Sequence, residues 1–307
     1  MPTRRHFITR TLQASGLALG GSFPLSALAA AGGTRLTILH TNDVHSRLEP
    51  FPMAEGEKFA GQGGVVARAA LIDRIRKEES QVLLLDCGDI FQGTPYFNLY
   101  KGEPEIKAMS LMGYDAATMG NHDFDAGVEG FAAQLPHANF PILCSNYEFN
   151  RTALEGKTQP YKIFQKGPVK VGVFGLGIQL KGLVPDDACK GVVYLEPTRM
   201  AQQMADKLRK TEGCHLVICL SHLGYEYNFR KVSDQTLAKE TDGIDLILGG
   251  HTHTFLDTPT ILTNKSGKEV LINQVGWAGL RLGRIDIYFD NNTVRKGTTA
   301  APIKIGT

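Results

Sequence analysis

Short apolar runs that each end in a polar cluster recur along this chain. Residues 35–40 (RLTILH) read as a buried strand ahead of Thr41-Asn42-Asp43. A Gly- and Pro-containing loop follows over 49–64. Val65, Ala69, Ile72 and Ile75 then recur at helical spacing with Arg and Lys between them, which predicts an amphipathic helix. Residues 82–85 (VLLL) form the next strand, and this β-loop-α-β order favours a parallel pair. Further strands are predicted at 115–119, 141–145, 169–176, 215–220 and 244–248, with helices at 104–112, 197–211 and 233–239. Near the end, 271–275 and 284–289 follow each other without a helix, which predicts an antiparallel finish. No Pro/Gly/Ser-rich linker and no internal repeat interrupts the pattern, so residues 31–307 read as one mixed α/β domain.

The chemistry-bearing residues sit where the strands stop. The first strand runs into Asp43-Val44-His45, the second into Asp86-Cys87-Gly88-Asp89, and the third into Gly120-Asn121-His122-Asp123-Phe124-Asp125. The run at 215–220 ends in Ser221-His222, and that at 244–248 in Gly249-Gly250-His251-Thr252-His253. Strand ends are where open α/β folds place their sites. Gly120 reads as the residue that lets the chain turn tightly out of its strand. A hydrogen-bonded turn with Asn and Asp capping the next helix would explain GNHDFD alone. It does not explain why five of the nine histidines stand in these loops. In extended chain, i and i+2 side chains point the same way, so Asp43/His45 and His251/His253 can each aim two groups at one point. Carboxylate, imidazole and amide oxygen suit a divalent ion such as Zn²⁺, Mn²⁺ or Fe²⁺, and seven candidates fit two ions sharing a carboxylate better than one tetrahedral ion.

Composition narrows the classes. The chain is 42% apolar and 21% charged, ordinary for a globular protein. Its formal charge of +2 comes from Arg4, Arg5 and Arg10; beyond residue 30 there remain 30 basic and 31 acidic residues. A near-neutral body without basic-aromatic runs speaks against nucleic-acid binding. Thr3-Arg4-Arg5-His6-Phe7-Ile8 is a twin-arginine pattern, followed by a weakly apolar tract and Ala27-Leu28-Ala29, an A-x-A-like cleavage site. Residues 1–30 are therefore read as an export signal, with an uncleaved anchor as the other reading. A bacterial periplasmic or secreted protein with no stable membrane insertion after cleavage is expected. The five cysteines lack a C-x-x-C pair and are expected to be buried thiols, with a single Cys189–Cys214 or similar bridge left open. Gly175-Leu176-Gly177 lacks the third glycine of a dinucleotide fingerprint. His251-Thr252-His253-Thr254-Phe255-Leu256 lacks the Asp-His of a metallo-β-lactamase site.

Asp43-x-His45, Gly88-Asp89, Gly120-Asn121-His122-Asp123-Phe124-Asp125, His222 and Gly250-His251-x-His253 resemble the five motifs of the binuclear calcineurin-like metallophosphoesterases. The surrounding text (ILHTNDVH, LLLDCGDIFQGTP, TMGNHDFD, SHLGYE, GGHTHT) is similar to the 5′-nucleotidase branch, over about residues 34–290. The resemblance implies an α/β four-layer αββα sandwich of two mixed sheets flanked by helices. It implies that Asp43, His45, Asp89 and His253 hold one ion and that Asp89, Asn121, His222 and His251 hold the other, with Asp89 bridging. His122 would approach the phosphate with Asp125 orienting its ring; Asp86 and Asp123 have no assigned ligand role, Asp86 reading as a strand-end hydrogen-bonder, and His40, His137 and His215 are expected to be structural. The implied activity is hydrolysis of a phosphomonoester, a nucleotide first, by a hydroxide held between the ions. Cyclic-nucleotide or nucleotide-sugar phosphodiesterase activity, or the catalytic subunit of a split nucleotidase with a separate substrate-binding protein, are the alternatives. His253 stands where the nucleotidase branch often has Gln. The C-terminal substrate domain of that branch is expected to be absent, which leaves substrate specificity open.

Overall fold

A computed structural model describes residues 32–306; the expected export signal lies outside the described residues. In chain order the strands are β1 (Thr34–Thr41), β2 (Val82–Asp86), β3 (Ala116–Ala117), β4 (Tyr147–Glu148), β5 (Tyr161–Lys166), β6 (Val169–Leu176) and β7 (Val193–Tyr194). They continue with β8 (Leu216–Ser221), β9 (Leu246–Leu248), β10 (Thr260–Thr263), β11 (Glu269–Asn273), β12 (Arg281–Phe289), β13 (Arg295–Ala300) and β14 (Ile303–Lys304). The α-helices are α1 (Val65–Glu78), α2 (Pro95–Tyr100), α3 (Glu103–Met112), α4 (Gly127–Gln134), α5 (Pro197–Asp206) and α6 (Asp234–Glu240).

One sheet has the order β13-β12-β1-β2-β3, with β14 also on β12; the second has the order β10-β11-β9-β8-β6-β5. In the first, β1, β2 and β3 are parallel and β12 runs antiparallel to β1. In the second, β6, β8, β9 and β11 are parallel, with β5 and β10 antiparallel at the edges. The alternation within each parallel strand sorts its side chains. Leu36, Ile38, Leu83 and Leu85 face Val171, Val173, Ile218, Leu220 and Leu248 between the sheets. Leu39 and Leu84 instead pack under α1, α3 and α4 with Ile72, Ile106 and Phe131. Cys219 and Ile247 pack under α5 and α6 with Ala201, Ala205 and Leu237. The result is the four-layer αββα sandwich that the resemblance implied. Among the described residues no helix is long and apolar enough to cross a membrane.

Several expectations needed correction. Residues 141–145 are not a strand. Leu143 N donates to Ala117 O, Cys144 N to Gln159 O and Ser145 N to Gly175 O, so the segment changes partner at each step as it crosses from β3 to β6. Gly175 serves that crossing, since a Cβ there would lie 2.0 Å from Leu143 O. The strand at 115–119 shortens to two residues; Thr118 N still donates to Asp86 O of β2, and its hydroxyl donates to Leu143 O. The strand at 244–248 shortens to β9, and the helix at 197–211 ends at Asp206 in a wider π-turn over Lys207–Thr211. The runs at 271–275 and 284–289 do not pair: β11 lies parallel to β9 in one sheet and β12 antiparallel to β1 in the other. All five cysteines are free thiols and Cys189 is only half-buried, so no bridge forms and not every thiol is buried.

His40 is a core histidine. Its ring occupies the space that a side chain at the opposing Gly283 would fill. Asn273 Nδ2 donates to its Nε2 at 3.0 Å, and burial pushes its pKa down to about 3. A histidine neutral in the fold but near 6.5 when unfolded takes up its proton preferentially on unfolding between those values, so its contribution is lost as pH falls through that window. The metal-free protein is therefore expected to lose more stability than His40→Gln between pH 6.5 and 4, by on the order of 2–3 kcal/mol. Urea titrations of both proteins across that range check the difference; parallel pH profiles would contradict it.

Candidate metal centre

Because β1, β2 and β3 are parallel, and β8 and β9 are parallel, their carboxyl ends face one region. The five polar loops meet there. Asp43 N donates to Gly88 O at 2.9 Å and His45 N to Asp89 O at 3.1 Å, which lays the first loop along the second. The two sheets are joined across the site by His222 Nδ1, which donates to Cys87 O at 2.7 Å, and by His251 N, which donates to both carboxylate oxygens of Asp43 at 3.0 Å.

The residues predicted as ligands fall into two groups of converging donor atoms, Asp43/His45/His253 and Asp89/His222/His251. Asn121 Oδ1 lies 2.8 Å from His251 Nδ1, beside the second group. Asp89 Oδ2 is 3.1 Å from His222 Nε2 and 3.9 Å from His45 Nε2, so it stands between the two. His122 and Asp125 lie at the rim: His122 Nδ1 is 2.9 Å from Asp125 Oδ2, and the His122 ring meets that of His45 edge-on at 5.3 Å.

The arrangement fits a pair of cations. His222 Nε2 is fully buried and makes no hydrogen bond, although it faces the Asp89 carboxylate at 3.1 Å. His45 Nε2 and His253 Nε2 approach to 2.9 Å, with Asp43 Oδ1 3.4 Å from the latter. His45 Nδ1 donates to Phe91 O, so its Nε2 presents a lone pair. Nitrogen lone pairs and carboxylate oxygens aimed at common points form a ligand set for a borderline divalent ion.

Protonation follows the same crowding. Burial opposes charge on His222, but Asp89 and Asp43 outweigh it and hold the imidazole up at about 10. Burial would raise the Asp89 carboxyl; His222, His45 and His122 hold it well below the usual range instead. Burial lowers His45, and lowers His251 to about 4 beside the His222 charge. The hydrogen bond to Asp125 raises His122.

The backbone is held in costly conformations at the same place. Asp43, His45, Asp89, His251 and His253 all have φ between 50° and 73°, the left-handed region that side chains avoid. Gly120, read from sequence as a tight turn, is not in that region; a Cβ there would stand 2.1 Å from Asp89 Oδ1, so close approach explains the glycine. Asp123 accepts from the N–H groups of Asp89, Gly120, Ile90 and Phe91 at 2.8–3.2 Å. Burial pushes its pKa up to about 7, and those donors oppose the shift. Asp86 likewise accepts from Thr41 Oγ1 and Gly88 N at a strand end.

Three supports escaped the sequence reading. Asn42 accepts from Val275 N and donates to Asp43 Oδ2 and Gly276 O. Gln274 Nε2 donates to Gly250 O, and its Oε1 accepts from Thr254 N. Trp277 stacks on His253. Only adjacency hinted at them, since Asn42 precedes a ligand and Gln274 follows a strand.

A calcineurin-like phosphoesterase profile matches residues 36–255. The chain is 36% identical over 296 residues to a snake venom 5′-nucleotidase of Gloydius brevicauda, covering 90% of this chain and 49% of that protein. It is 36% identical to the 5′-nucleotidase of Homo sapiens, covering 85% and 48%. The chain thus spans about half the length of the curated relatives it matches. In structure it is similar to a 5′-nucleotidase precursor from Thermus thermophilus, with a TM-score of 0.78, 32% identity, and coverage of 89% of this chain and 55% of that one. The calcineurin-like phosphoesterase YfkN from Bacillus subtilis shares the fold at a TM-score of 0.70 and 24% identity, covering 89% and 91%.

Asp123→Asn turns amide hydrogens toward N–H groups that now meet a carboxylate. It is expected to cost the metal-free protein at least about 2 kcal/mol, as for a buried charged acceptor. A denaturant midpoint unchanged from wild type would refute that role.

Proposed function

The chain belongs to the calcineurin-like phosphoesterase family, and on that premise we propose that it hydrolyses phosphomonoesters with two divalent cations, Zn, Mn or Fe. The observation that carries the reading is the pair of ligand groups flanking Asp89, with the His122–Asp125 pair at their rim. Asp43, His45, Asp89 and His253 would hold one cation, and Asp89, Asn121, His222 and His251 the other. When bound, such cations draw charge from the phosphoryl oxygens and make water acidic enough to ionise near neutral pH.

The chain's own residues would do the rest. His122 donates its Nδ1 hydrogen to Asp125, which fixes the tautomer and leaves Nε2 to face the ester. Asp125 also raises the pKa of His122, so the ring keeps a second proton at Nε2 more readily. Water would attack phosphorus opposite the ester oxygen and lose a proton to solvent as the new O–P bond forms, the P–O bond to the leaving group would break, and His122 Nε2 would give its proton to the departing alkoxide. His122 then recovers a proton from solvent. Such transfer needs positioning and charge more than covalent help from protein. The 5′-nucleotidase names of the relatives make nucleoside 5′-monophosphates the proposed first substrates. Cyclic or sugar-linked phosphodiesters are the competing class.

Metal-replete protein is tested on p-nitrophenyl phosphate, its bis-ester and a nucleotide panel. Monoesters are expected to turn over faster than diesters. A preference for the bis-ester would overturn the monoesterase reading. His122→Ala is expected to lower kcat by about 10²–10⁴ with both cations retained. Full activity in that variant would remove His122 from the mechanism.

Twin-arginine export of the folded protein to the periplasm or medium is also proposed, from Arg4 and Arg5. Replacing both with Lys is expected to retain the protein in the cytoplasm, as fractionation and immunoblotting would reveal; unchanged export would exclude this route.

A further inference from the structure

Two of the four histidines grouped here have a ring nitrogen engaged by a backbone carbonyl: His222 Nδ1 meets Cys87 O and His45 Nδ1 meets Phe91 O, while His251 Nδ1 meets Asn121 Oδ1, itself a proposed ligand. Such contacts orient a ligating imidazole and choose its tautomer. His253 is the exception: its Nε2 points at His45 and Asp43, and among the described residues no hydrogen bond reaches its Nδ1. Its side chain is 40% exposed, against 9% for His45 and 0% for His222, and its backbone sits at φ 52°.

An indole lies against it instead. Trp277 is parallel to the His253 ring within 8°, with centroids 5.8 Å apart, an offset stack within the range of favourable aromatic pairs. The indole is itself held. Phe51 meets it edge-on at 6.0 Å and Phe59 packs on Phe51, with Arg47 over the Phe51 ring. Its chain neighbours are pinned to the loops it serves: Gly276 N donates to Thr254 O and Ala278 N to Asp43 O at 2.7 Å. Trp277 is thus braced by backbone from both sides of one ligand group.

We propose that Trp277 is the positioning residue for His253, its indole face setting the imidazole plane so that Nε2 converges with Asp43 and His45 on one cation. The inference rests on the reading of those three residues as ligands. It assigns Trp277 no contact with substrate. A flat aromatic face should serve the role, whereas an aliphatic side chain should leave the imidazole plane unfixed.

Mn²⁺ is the probe. Metal-free wild-type protein is titrated calorimetrically while the emission of its one tryptophan is followed. Two ions are expected to bind, with emission falling in step with one of them. Trp277→Leu is expected to weaken that ion by about 10–100-fold, the cost typical of losing an outer support, and to leave the other within about twofold. Trp277→Phe is expected to restore most of the loss. Wild-type affinities for both ions in Trp277→Leu would overturn the proposal, as would a Phe variant no better than Leu. Indole emission insensitive to both ions would also overturn it, and needs no variant that might misfold. A wild-type protein that binds no Mn²⁺ would overturn the metal reading and this inference together, which separates the two failures.

Discussion

Two carboxylates and four imidazoles packed into a pocket this dry need positive charge among them. Without it, Asp43 and Asp89 repel each other in a medium that screens poorly, and each gives up hydration that only donors can replace. The His222 imidazole, buried between them and held up at about 10, marks where that demand is strongest. A proton can answer it there because one nitrogen faces both carboxylates. It answers less well between His45 and His253, whose Nε2 atoms meet with at most one hydrogen to share. A divalent ion at each place would meet the demand, and the paired arrangement of donor groups suits that need.

Holding such a cluster requires a frame that resists its repulsion. The sheets provide it by presenting parallel strand ends from both sides of one apolar interface, so no loop has far to reach. Asp123 collects four N–H groups of the second and third loops, while Asp43 accepts the His251 N–H from the opposite sheet. Holding five of the proposed ligands in left-handed backbone costs about 1–3 kcal/mol each, strain that a free loop would release, so they persist only under that many constraints. The strain and the network are two aspects of one device.

Much of this was legible in the sequence because strand periodicity and site chemistry coincide at the strand ends. Residues 35–40 and 82–85 announced buried strands, and Asp43, His45 and Asp89 lie directly beyond them. What stayed hidden depends on partners far away in the chain. The pattern at 141–145 is apolar because both sheets bury it, yet it crosses between them and forms no strand. The run at 271–275 is buried on both faces and that at 284–289 alternates, but burial does not say which sheet a strand joins. Gly120 looked like a turn when its constraint was the Asp89 carboxylate 31 residues earlier. Asn42, Gln274 and Trp277 carry no local signature, since a residue that supports a ligand is defined by what it touches.

His253 differs from the other histidines of the two groups in how it is fixed, and the difference traces to its exposure. Asp89 and His222 lie on strand ends inside the sandwich, where the carbonyl of Cys87 and the donors around Asp123 hold them. His253 lies in the loop after β9 with its side chain 40% exposed, and among the described residues no hydrogen bond reaches its Nδ1. A hydrogen bond to water at that depth would orient the ring weakly, because solvent can rotate away. A large flat side chain fixed at its own base restrains rotation through contact area instead, and it sheds water from one face of the ligand. Stacking is therefore the support available to an imidazole that lies near the surface.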